Sequence, residues 1–274
     1  MTDYHFETHQ PVNLYVEIGA GNVAVQAHDT TESNVAVTGR DAERVIVQLD
    51  GDQLSVIAPK DRTGFLGGDR NLDLKISVPT NSRLQLKSGS ADLTARGTYA
   101  ATHVKSGSGD VRVEVIAGVG VVETGSGDIK IDSVAEDLRI KSGSGDIMVD
   151  SAAASVVIST GSGDVSIGTS SGPTVVKTGS GDLKVSEAEG DVSLSTGSGD
   201  LLIARANRGR VTAKGASGDV NVGIPAGVPV WTDLTTVSGS IRSDLAGAGE
   251  PEDGADYVEV RAKTLSGDIV LTEK

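Results

Sequence analysis

Residues 177–185, KTGSGDLKV, contain the tetrapeptide that decides the fold of this chain. Gly-Ser-Gly-Asp begins at position 179 and also at positions 107, 125, 143, 161 and 197, each 18 residues from the next. Aspartates continue the same interval from Asp92 to Asp200, and Asp219 follows one residue late. A constant interval of this length indicates a repeat protein, in which each unit forms one structural element.

Each unit contains two short strands separated by turns. In DIKIDSVAEDLRIKSGSG, residues 128–145, Ile129 and Ile131 alternate with polar residues, and Leu138 and Ile140 do the same after a turn. Alternation with period two over five or six residues is typical of strands, whereas an amphipathic helix shows i, i+3, i+4 spacing. The pattern therefore predicts an all-β chain.

Two topologies accommodate two short strands in every unit. An antiparallel meander would form one open sheet whose apolar face has no second layer to cover it. In a β-solenoid each unit is one coil, and the apolar residues of its two strands face each other across a flattened interior. The solenoid also stacks like residues at the ~4.8 Å spacing of neighbouring strands, which explains the constant register. We therefore predict a single-domain β-solenoid with 18-residue coils.

The predicted interior contains three columns of Val, Ile and Leu side chains. Sheets packed about 10 Å apart over small aliphatic residues leave little room for rings. An aromatic content of only 3% agrees with such an interior. The columns are Val111, Ile129, Ile147, Val165, Leu183 and Leu201; Val113, Ile131, Val149, Ile167, Val185 and Ile203; and Val122, Ile140, Ile158, Val176 and Leu194.

The tetrapeptide is interpreted as a corner between the two strands of a coil. We expect both glycines to supply the positive φ of a tight corner, and the Asp to accept hydrogen bonds from corner N–H groups, as in an Asx turn. The hydroxyl residue before each tetrapeptide shares the inward parity of the apolar columns, so we expect its hydroxyl to bond the corner backbone. These residues are Thr124, Ser142, Thr160, Thr178 and Thr196.

A cation site is the functional interpretation of the same corner. Stacked coils would place like charges about 5 Å apart, where they repel unless N–H groups or a metal compensate them. Calcium-binding β-rolls repeat every nine residues with G-G-x-G-x-D, and the alternate corners here lack that pattern. The structural interpretation is therefore preferred. The candidate cation ladder is Asp110, Asp128, Asp146, Asp164, Asp182 and Asp200.

Other chemical motifs are weak. GTSSG, residues 168–172, fits G-x-S-x-G, but a nucleophile elbow needs a strand-to-helix turn and this one lies between two strands. We expect Trp231 to belong to the core of a cap, because it stands among Val and Leu in GVPVWTDL. Four outward apolar residues are the candidate interaction face: Met148, Val157, Val175 and Leu202.

The two ends of the chain depart from the repeat. Solenoids need atypical terminal units that cover the open strand edges. We therefore expect an N-terminal β cap over 1–87, regular repeats over 88–223, and a C-terminal β cap over 224–274. Gly-rich loops are expected at 64–69 and at 246–255.

The formal net charge is −14 and the chain has no Cys. Such a charge repels nucleic-acid phosphates and anionic lipid surfaces, so we expect neither nucleic-acid binding nor direct membrane insertion. The first residues lack a basic segment followed by an apolar one, and no later run approaches ~18 apolar residues. We therefore expect a cytoplasmic protein without thiol chemistry.

Several stretches resemble a bacterial β-strand-repeat family of unknown function whose members are called "putative adhesins" or toast-rack domains. They are VEIGAGNVAV, LKISVPTNSRLQLKSGSADLTARG, the serial TGSGDV corners, and PAGVPVWTDL with VEVRAKTLSGDIVL. The resemblance spans essentially the whole chain and is strongest to actinobacterial members. It implies a β-solenoid fold, frequent association with envelope-stress systems and transport operons, and no established catalytic residues.

Two functions of different class follow. We favour a non-enzymatic scaffold or interaction module that docks a protein partner, in an envelope-stress or regulatory assembly, with self-association through coil ends as a further mode. The alternative is an adhesin-like module whose Ser and Asp corners hold cations or a polar glycan. No cofactor is predicted, and a hydrolase is disfavoured because acid, base and nucleophile candidates do not converge.

Overall fold

The computed structural model describes residues 1–59, 72–246 and 256–274. These residues are almost entirely strands, with one turn of 3₁₀ helix at Ala42–Arg44. The chain divides into two compact units, 1–136 and 137–274. The predicted loop at 64–69 lies outside the described residues, and so does all but Ala246 of the loop at 246–255. No helix in the described ranges is long and apolar enough to span a membrane.

The described residues of the first unit form eleven strands. They are β1 Thr2–Glu7, β2 Asn13–His28, β3 Glu32–Gly39, β4 Ile46–Asp50, β5 Gln53–Ile57, β6 Leu72–Pro79, β7 Arg83–Tyr99, β8 Ala101–Ser108, β9 Val111–Ile116, β10 Gly120–Ser126 and β11 Ile129–Val134.

Two long strands of the first unit, β2 and β7, each run through a corner and supply both sides of one coil. The first half of β2 pairs in parallel with β5 and β7, and its second half pairs in parallel with β6 and β7. Strands β8 to β11 continue the parallel stack. Three antiparallel pairings, β1 with β3, β3 with β6 and β4 with β5, replace the coil pattern near the N-terminus.

Fourteen strands are formed by the residues of the second unit that the structure describes. They are β12 Leu138–Ser142, β13 Ile147–Ala152, β14 Val156–Ser162, β15 Val165–Ser170, β16 Thr174–Ser180, β17 Leu183–Ala188, β18 Val192–Ser198, β19 Leu201–Ala206, β20 Gly209–Lys214, β21 Val220–Ile224, β22 Val230–Ser238, β23 Ile241–Ser243, β24 Val258–Ser266 and β25 Ile269–Glu273.

The strands of the second unit form two parallel columns. Even-numbered strands from β12 to β20 pair with one another, and odd-numbered strands from β13 to β21 do the same. Partners are 18 residues apart, as in Val165 with Leu183. From β18 to β20 the offset is 19, because the turn around Arg208 contains one extra residue.

The last coil in the sequence is not the last coil in space. Strand β24 pairs with β20 on one side and β22 on the other, and β25 lies between β21 and β23 in the same way. The C-terminal segment is therefore inserted between two coils that precede it in the chain. Burial explains this order, since Val258 and Val260 of β24 are fully buried, whereas Val230 and Leu234 of β22 are only half-buried.

The interior matches the predicted columns, and every residue named for them is buried. Two features of the core were not predicted. In the first unit Tyr99 is fully buried, and its hydroxyl donates to the carbonyl oxygens of Val25 and Arg96 at 3.1 and 3.0 Å. In the second unit the hydroxyls of Ser170 and Thr174 form a buried pair 2.6 Å apart where other coils have apolar residues.

The all-β solenoid predicted from the sequence is thus confirmed. The parity of the apolar residues alone identified the inward side of each strand, because a strand alternates its side chains strictly. The three-part division at 87 and 223 stays a prediction.

Adjacent residues of opposite parity test the assignment of the interior. Ile158 is fully buried, whereas its neighbour Val157 is 37% exposed. We expect Ile158→Ala to lower the free energy of unfolding by about 2–5 kcal/mol, because it leaves a cavity between the two columns. Val157→Ala should change it by no more than about 0.5 kcal/mol. Chemical denaturation of both variants measures the difference, and equal losses would contradict the assigned parity.

Candidate functional site

The hydroxyl residue before most of the tetrapeptides caps the corner with a hydrogen bond to its backbone. Thr124 donates to the carbonyl oxygen of Ser126 at 2.8 Å, and equivalent bonds of 2.8 to 3.0 Å join Ser142 to Ser144, Thr160 to Ser162 and Thr178 to Ser180. The predicted bond from hydroxyl to corner backbone is confirmed at these positions. At Thr196, among the described residues, the buried hydroxyl has no hydrogen-bond partner.

The two glycines of a corner are needed for different reasons. The second one has positive φ, as in Gly163 at 107° and Gly181 at 139°. The first one does not, so our expectation of positive φ at both was wrong. At Gly179 an added Cβ would lie 2.7 Å from the carbonyl oxygen of Gly161 in the coil below. The first glycine is therefore required by the close approach of stacked backbones.

The Asp of each corner bonds a neighbouring coil. The carboxylate of Asp146 accepts from the backbone N–H of Asp164 at 2.9 Å, and Asp164 accepts from the N–H of Asp182 at the same distance. The expected bond from a corner N–H group is present at these positions, but the donor belongs to the next coil and the bond is not that of an Asx turn. The physical reason is the 18-residue stacking, which places the next amide directly beside the carboxylate.

The ladder of carboxylate–amide bonds follows the spatial order of the coils. Asp200 accepts from Asp219, Asp219 from Asp268, and Asp268 from the N–H of Ser240, at 2.7 to 2.8 Å. The hydrogen bond from the Ser240 backbone lowers the pKa of Asp268. In the chain's final spatial coil the corner residue is Ser instead of Asp. In spatial order, the last three corners read Ser-Gly-Asp at 217–219, Ser-Gly-Asp at 266–268 and Ser-Gly-Ser at 238–240. The corner without Asp is therefore the outermost of the three.

The corner carboxylates do not require a cation for their structural role. In the first unit, Asp92 accepts from the N–H of Asp110, which accepts from the N–H of Asp128. These bonds place an N–H dipole against a carboxylate oxygen and so offset the repulsion between stacked charges. Within the described part of the chain no group of three or more His, Asp or Glu side chains is arranged to hold a metal ion. Cation binding by the ladder stays the untested, less favoured alternative.

The serine of GTSSG is a structural residue. Ser170 is fully buried, and its hydroxyl donates to the carbonyl oxygen of Gly172 at 3.0 Å as well as pairing with Thr174. It lies at the end of β15, just before the turn into β16. The buried hydroxyl and the strand–turn–strand setting differ from those of a nucleophile elbow.

The structure does not bring the four candidate face residues together. Met148 and Leu202 lie in the odd-numbered column, with Ser166 and Lys184 between them in register. Val157 and Val175 are adjacent in the even-numbered column. Met148, Val157 and Leu202 are 44%, 37% and 40% exposed, and Val175 is half-buried. The four residues therefore lie on two separate faces. Their role in binding stays a prediction.

Trp231 does not belong to the core of a cap, contrary to our expectation. It is 51% exposed on the outer side of β22. Side chains alternate along a strand, and Trp231 is one residue from Val230 and three from Leu234, so it points to the opposite side of β22. The sequence alone therefore contained the information that Trp231 faces outward. The guanidinium of Arg261 lies 5.3 Å from the centre of the indole ring, within the range of a cation–π contact.

Glu259 is the residue that binds both arginines of the cluster around this indole. It lies next to Trp231 in the register of β22 and β24, and it is only 7% exposed although it points outward. Its carboxylate accepts hydrogen bonds from Arg210 and Arg261. The bond from Arg210 is the main reason that the pKa of Glu259 is lowered, and the same bond raises the pKa of Arg210.

Other exposed apolar side chains occur on the same strands. Tyr257, just before β24, is 47% exposed, and Val237 of β22 and Leu265 of β24 are 76% and 61% exposed. We call Trp231, Tyr257, Arg210, Glu259 and Arg261 the Trp231 patch. Trp, Tyr and Arg are the residue types that contribute most to protein–protein binding. Sequence analysis missed the patch because β24 and β22 are far apart in the chain.

Comparison with protein families gives one family. The model of Toastrack DUF4097 matches the chain twice, over residues 13–173 and 121–272. No curated protein matches the chain.

Comparison with solved structures gives distant likenesses. A putative adhesin from Bacteroides fragilis is 12% identical, with 98% of this chain and 96% of that chain covered and a TM-score of 0.42. A putative lipid binding protein from Parabacteroides distasonis is 11% identical over 97% and 96%, with a TM-score of 0.37. A putative cell adhesion protein from Clostridium sporogenes is 10% identical over 100% and 99%, with a TM-score of 0.24. At such identities and scores, none of them assigns a ligand or partner to this chain.

Two substitutions at one corner separate the hydrogen bond from the charge of the ladder. Asp164→Ala removes the acceptor for the Asp182 N–H, and we expect a loss of about 0.5–2 kcal/mol in the free energy of unfolding, comparable to the loss of a cap. Asp164→Asn keeps an acceptor oxygen and removes the charge, so it should retain most of that stability. Thermal and denaturant unfolding measure both variants. If the Asp164→Ala variant is at least as stable as the parent protein, the repulsion between stacked Asp charges outweighs or offsets the hydrogen bond.

The lowered pKa of Glu259 predicts a pH dependence. A carboxyl whose pKa is lower in the folded than in the unfolded chain stabilises the fold above its ordinary pKa of 4.5. That contribution disappears as the pH falls through the folded-state value. We therefore expect the melting temperature of the parent protein to exceed that of Glu259→Gln at pH 7, with the difference shrinking below pH 4.5. A difference independent of pH would contradict the assigned ion pairs.

Proposed function

We propose that this chain, which belongs to the Toastrack DUF4097 family, is a non-enzymatic β-solenoid module that binds a protein partner. The Trp231 patch is the observation that carries the proposal. The inward residues fill the core and corner side chains such as Thr160 and Asp164 bond the backbone, so the outward side chains are the ones available for binding.

The Trp231 patch has the chemistry of a binding hot spot. Hot spots are enriched in Trp, Tyr and Arg because these side chains combine a large apolar area with directional polar groups. Trp231 and Tyr257 expose about half of their surfaces. Arg261 stacks on the indole and is held by Glu259, at 2.5 Å, so its orientation is fixed before a partner arrives. Fixing it in advance lowers the entropy that binding must overcome.

The guanidinium donors of the patch favour a partner that offers carboxylates. Arg210 and Arg261 share the single carboxylate of Glu259, so these three residues carry one excess positive charge. Nearby, Lys263 is 3.8 Å from Asp233, which neutralises that pair. The carboxylate of Asp191 accepts from the backbone N–H of Arg210 at 2.8 Å and lies near its guanidinium, so the four charged groups together are close to neutral on a chain with a net charge of −14. An acidic segment with apolar side chains fits both the indole and the guanidinium groups.

We also propose that the protein acts in an envelope-stress or regulatory assembly. A second part of the proposal is that the protein has no catalytic activity. Support for the second point is the position of the chemically active groups. Ser170 is buried and bonded, and the corner carboxylates accept backbone amides. Self-association through the outermost coil is a further outcome that the experiment below distinguishes, since β22 exposes Val237 as well as Trp231.

Affinity capture with matched variants tests the proposed function. The tagged parent protein and Trp231→Ala, Arg261→Ala and Met148→Ala variants are compared in lysate of the native host, and any captured protein is purified and titrated. We expect a partner whose dissociation constant rises about tenfold or more in Trp231→Ala and Arg261→Ala, as for hot-spot residues. Met148→Ala, on another exposed face, should bind normally.

Three results would count against the assigned patch. They are loss of binding in Met148→Ala alone, equal binding by all variants, and capture of only the chain itself. Analytical ultracentrifugation of the purified parent protein identifies the last case, and circular dichroism verifies that each variant is folded.

A further inference from the structure

The outer face of the first unit contains a groove of ≈ 590 Å³. It crosses strands β3, β6, β2 and β7 on the side opposite to the buried columns. Ala24 and Ala36 lie in the groove, where neighbouring outward positions carry longer side chains. The depression therefore results from two small residues on strands that are brought together by the pairing of β3 with β6. It shares no residue with the Trp231 patch.

Two cationic side chains line the groove, and one of them, Lys75, lies between Ala36 and Ala24 in register. In register, Ala24 lies beside Lys75 on β6, and Gln26, two residues further along β2, lies beside Arg96 on β7. The two cations are thus on opposite sides of β2, with Cα atoms roughly 12 Å apart by the spacings of a sheet. Within the described residues neither makes an ion pair or a side-chain hydrogen bond, whereas Lys105 in the same unit pairs with Glu123 at 3.2 Å.

Neutral hydrogen-bonding groups line the groove around the cations. The Oδ1 atom of Asn34 is 2.6 Å from Nδ1 of His5, which orients the amide and leaves its NH₂ group available. Gln26, Ser77 and Thr94 contribute an amide and two hydroxyls. The groove therefore offers two positive charges and several donors and acceptors over a shallow apolar floor.

These groups select among ligand classes. Strands β2 and β6 each have partners on both edges, so the backbone at the floor has no free edge for a peptide strand. None of the described lining residues is aromatic, so the groove lacks a platform on which a nucleobase would stack. A polyol with an acidic substituent uses the cations, the amides and the hydroxyls together.

We propose that this groove binds an anionic sugar, a ring that carries hydroxyls together with a carboxylate or phosphate. Lys75 and Arg96 bind the acidic group, and Gln26, Asn34, Ser77 and Thr94 bind the hydroxyls. Asp3, the carboxylate beside Ala36 in register, lies on β1 outside the lining, where it disfavours a second acidic group at that end. This site is independent of the partner-binding function proposed above.

Titration calorimetry with four probes tests the proposal. Tetragalacturonate and glucose 6-phosphate represent the carboxylate and phosphate sources, maltotetraose lacks the charge, and inorganic phosphate lacks the sugar. We expect saturable binding of at least one anionic sugar, about tenfold or more tighter than maltotetraose or inorganic phosphate. Binding of tetragalacturonate would identify a carboxylate as the acidic group of the ligand, and binding of glucose 6-phosphate would identify a phosphate.

Matched variants locate the site. Lys75→Gln and Arg96→Gln should each weaken binding of the anionic sugar about tenfold, because each removes one charged donor. Lys184→Gln and Arg139→Gln, exposed cations outside the groove, are the controls and should bind like the parent protein. Ala24→Leu fills the floor without changing any charge and should also abolish binding. If circular dichroism shows that a charge variant is not folded, the Ala24→Leu variant decides the outcome.

Four results would overturn the proposal. They are no saturable binding of either anionic sugar, equal affinity for maltotetraose, equal affinity for inorganic phosphate, and unchanged binding in both Lys75→Gln and Ala24→Leu.

Discussion

The parallel stacking of coils at a constant 18-residue offset is the constraint on which the rest of the structure depends. Neighbouring coils approach so closely at the corner that a Cβ on Gly179 would lie 2.7 Å from the backbone oxygen below it. The same approach places each corner amide beside the carboxylate of the preceding coil, as for Asp164 and Asp182. A residue at one position of the repeat therefore determines what is allowed at that position in the next coil.

This constraint divides the side chains by role. Inward Val, Ile and Leu residues pack the interior, corner Gly residues allow the close approach of the coils, and corner side chains such as Thr160 and Asp164 bond the backbone. Sequence variation without structural cost is confined to the outward positions. That is where the Trp231 patch and the groove lined by Lys75 and Arg96 occur. Both lie near strands that depart from the regular repeat, since β24 is inserted out of chain order and β3 runs antiparallel to β6.

Much of the fold followed from local patterns, but the sites did not. Parity identified inward residues such as Ile158, and the repeat identified the corners. The bond of the Asp was misassigned to an Asx turn because its partner is an amide 18 residues away that only stacking brings near. The order of the last coils was missed because residues 236–243 and 264–271 both have the pattern of a corner, although Ser240 in place of Asp marks the outer one. The groove depends on pairing between β3 and β6, which no local pattern specifies.

Two deletions in the second unit test the stacking constraint most directly. Removal of residues 165–182 deletes one whole coil and joins Asp164 to Leu183 in the original register. Removal of residues 165–173 deletes only half of a coil, so every later strand belongs to the wrong column. We predict that the larger deletion keeps sheet circular dichroism and a cooperative melting transition, because repeat stability sums over intact units. The smaller deletion should melt at a much lower temperature or lose the transition. Equal melting of the two, or better tolerance of the smaller one, would contradict the account.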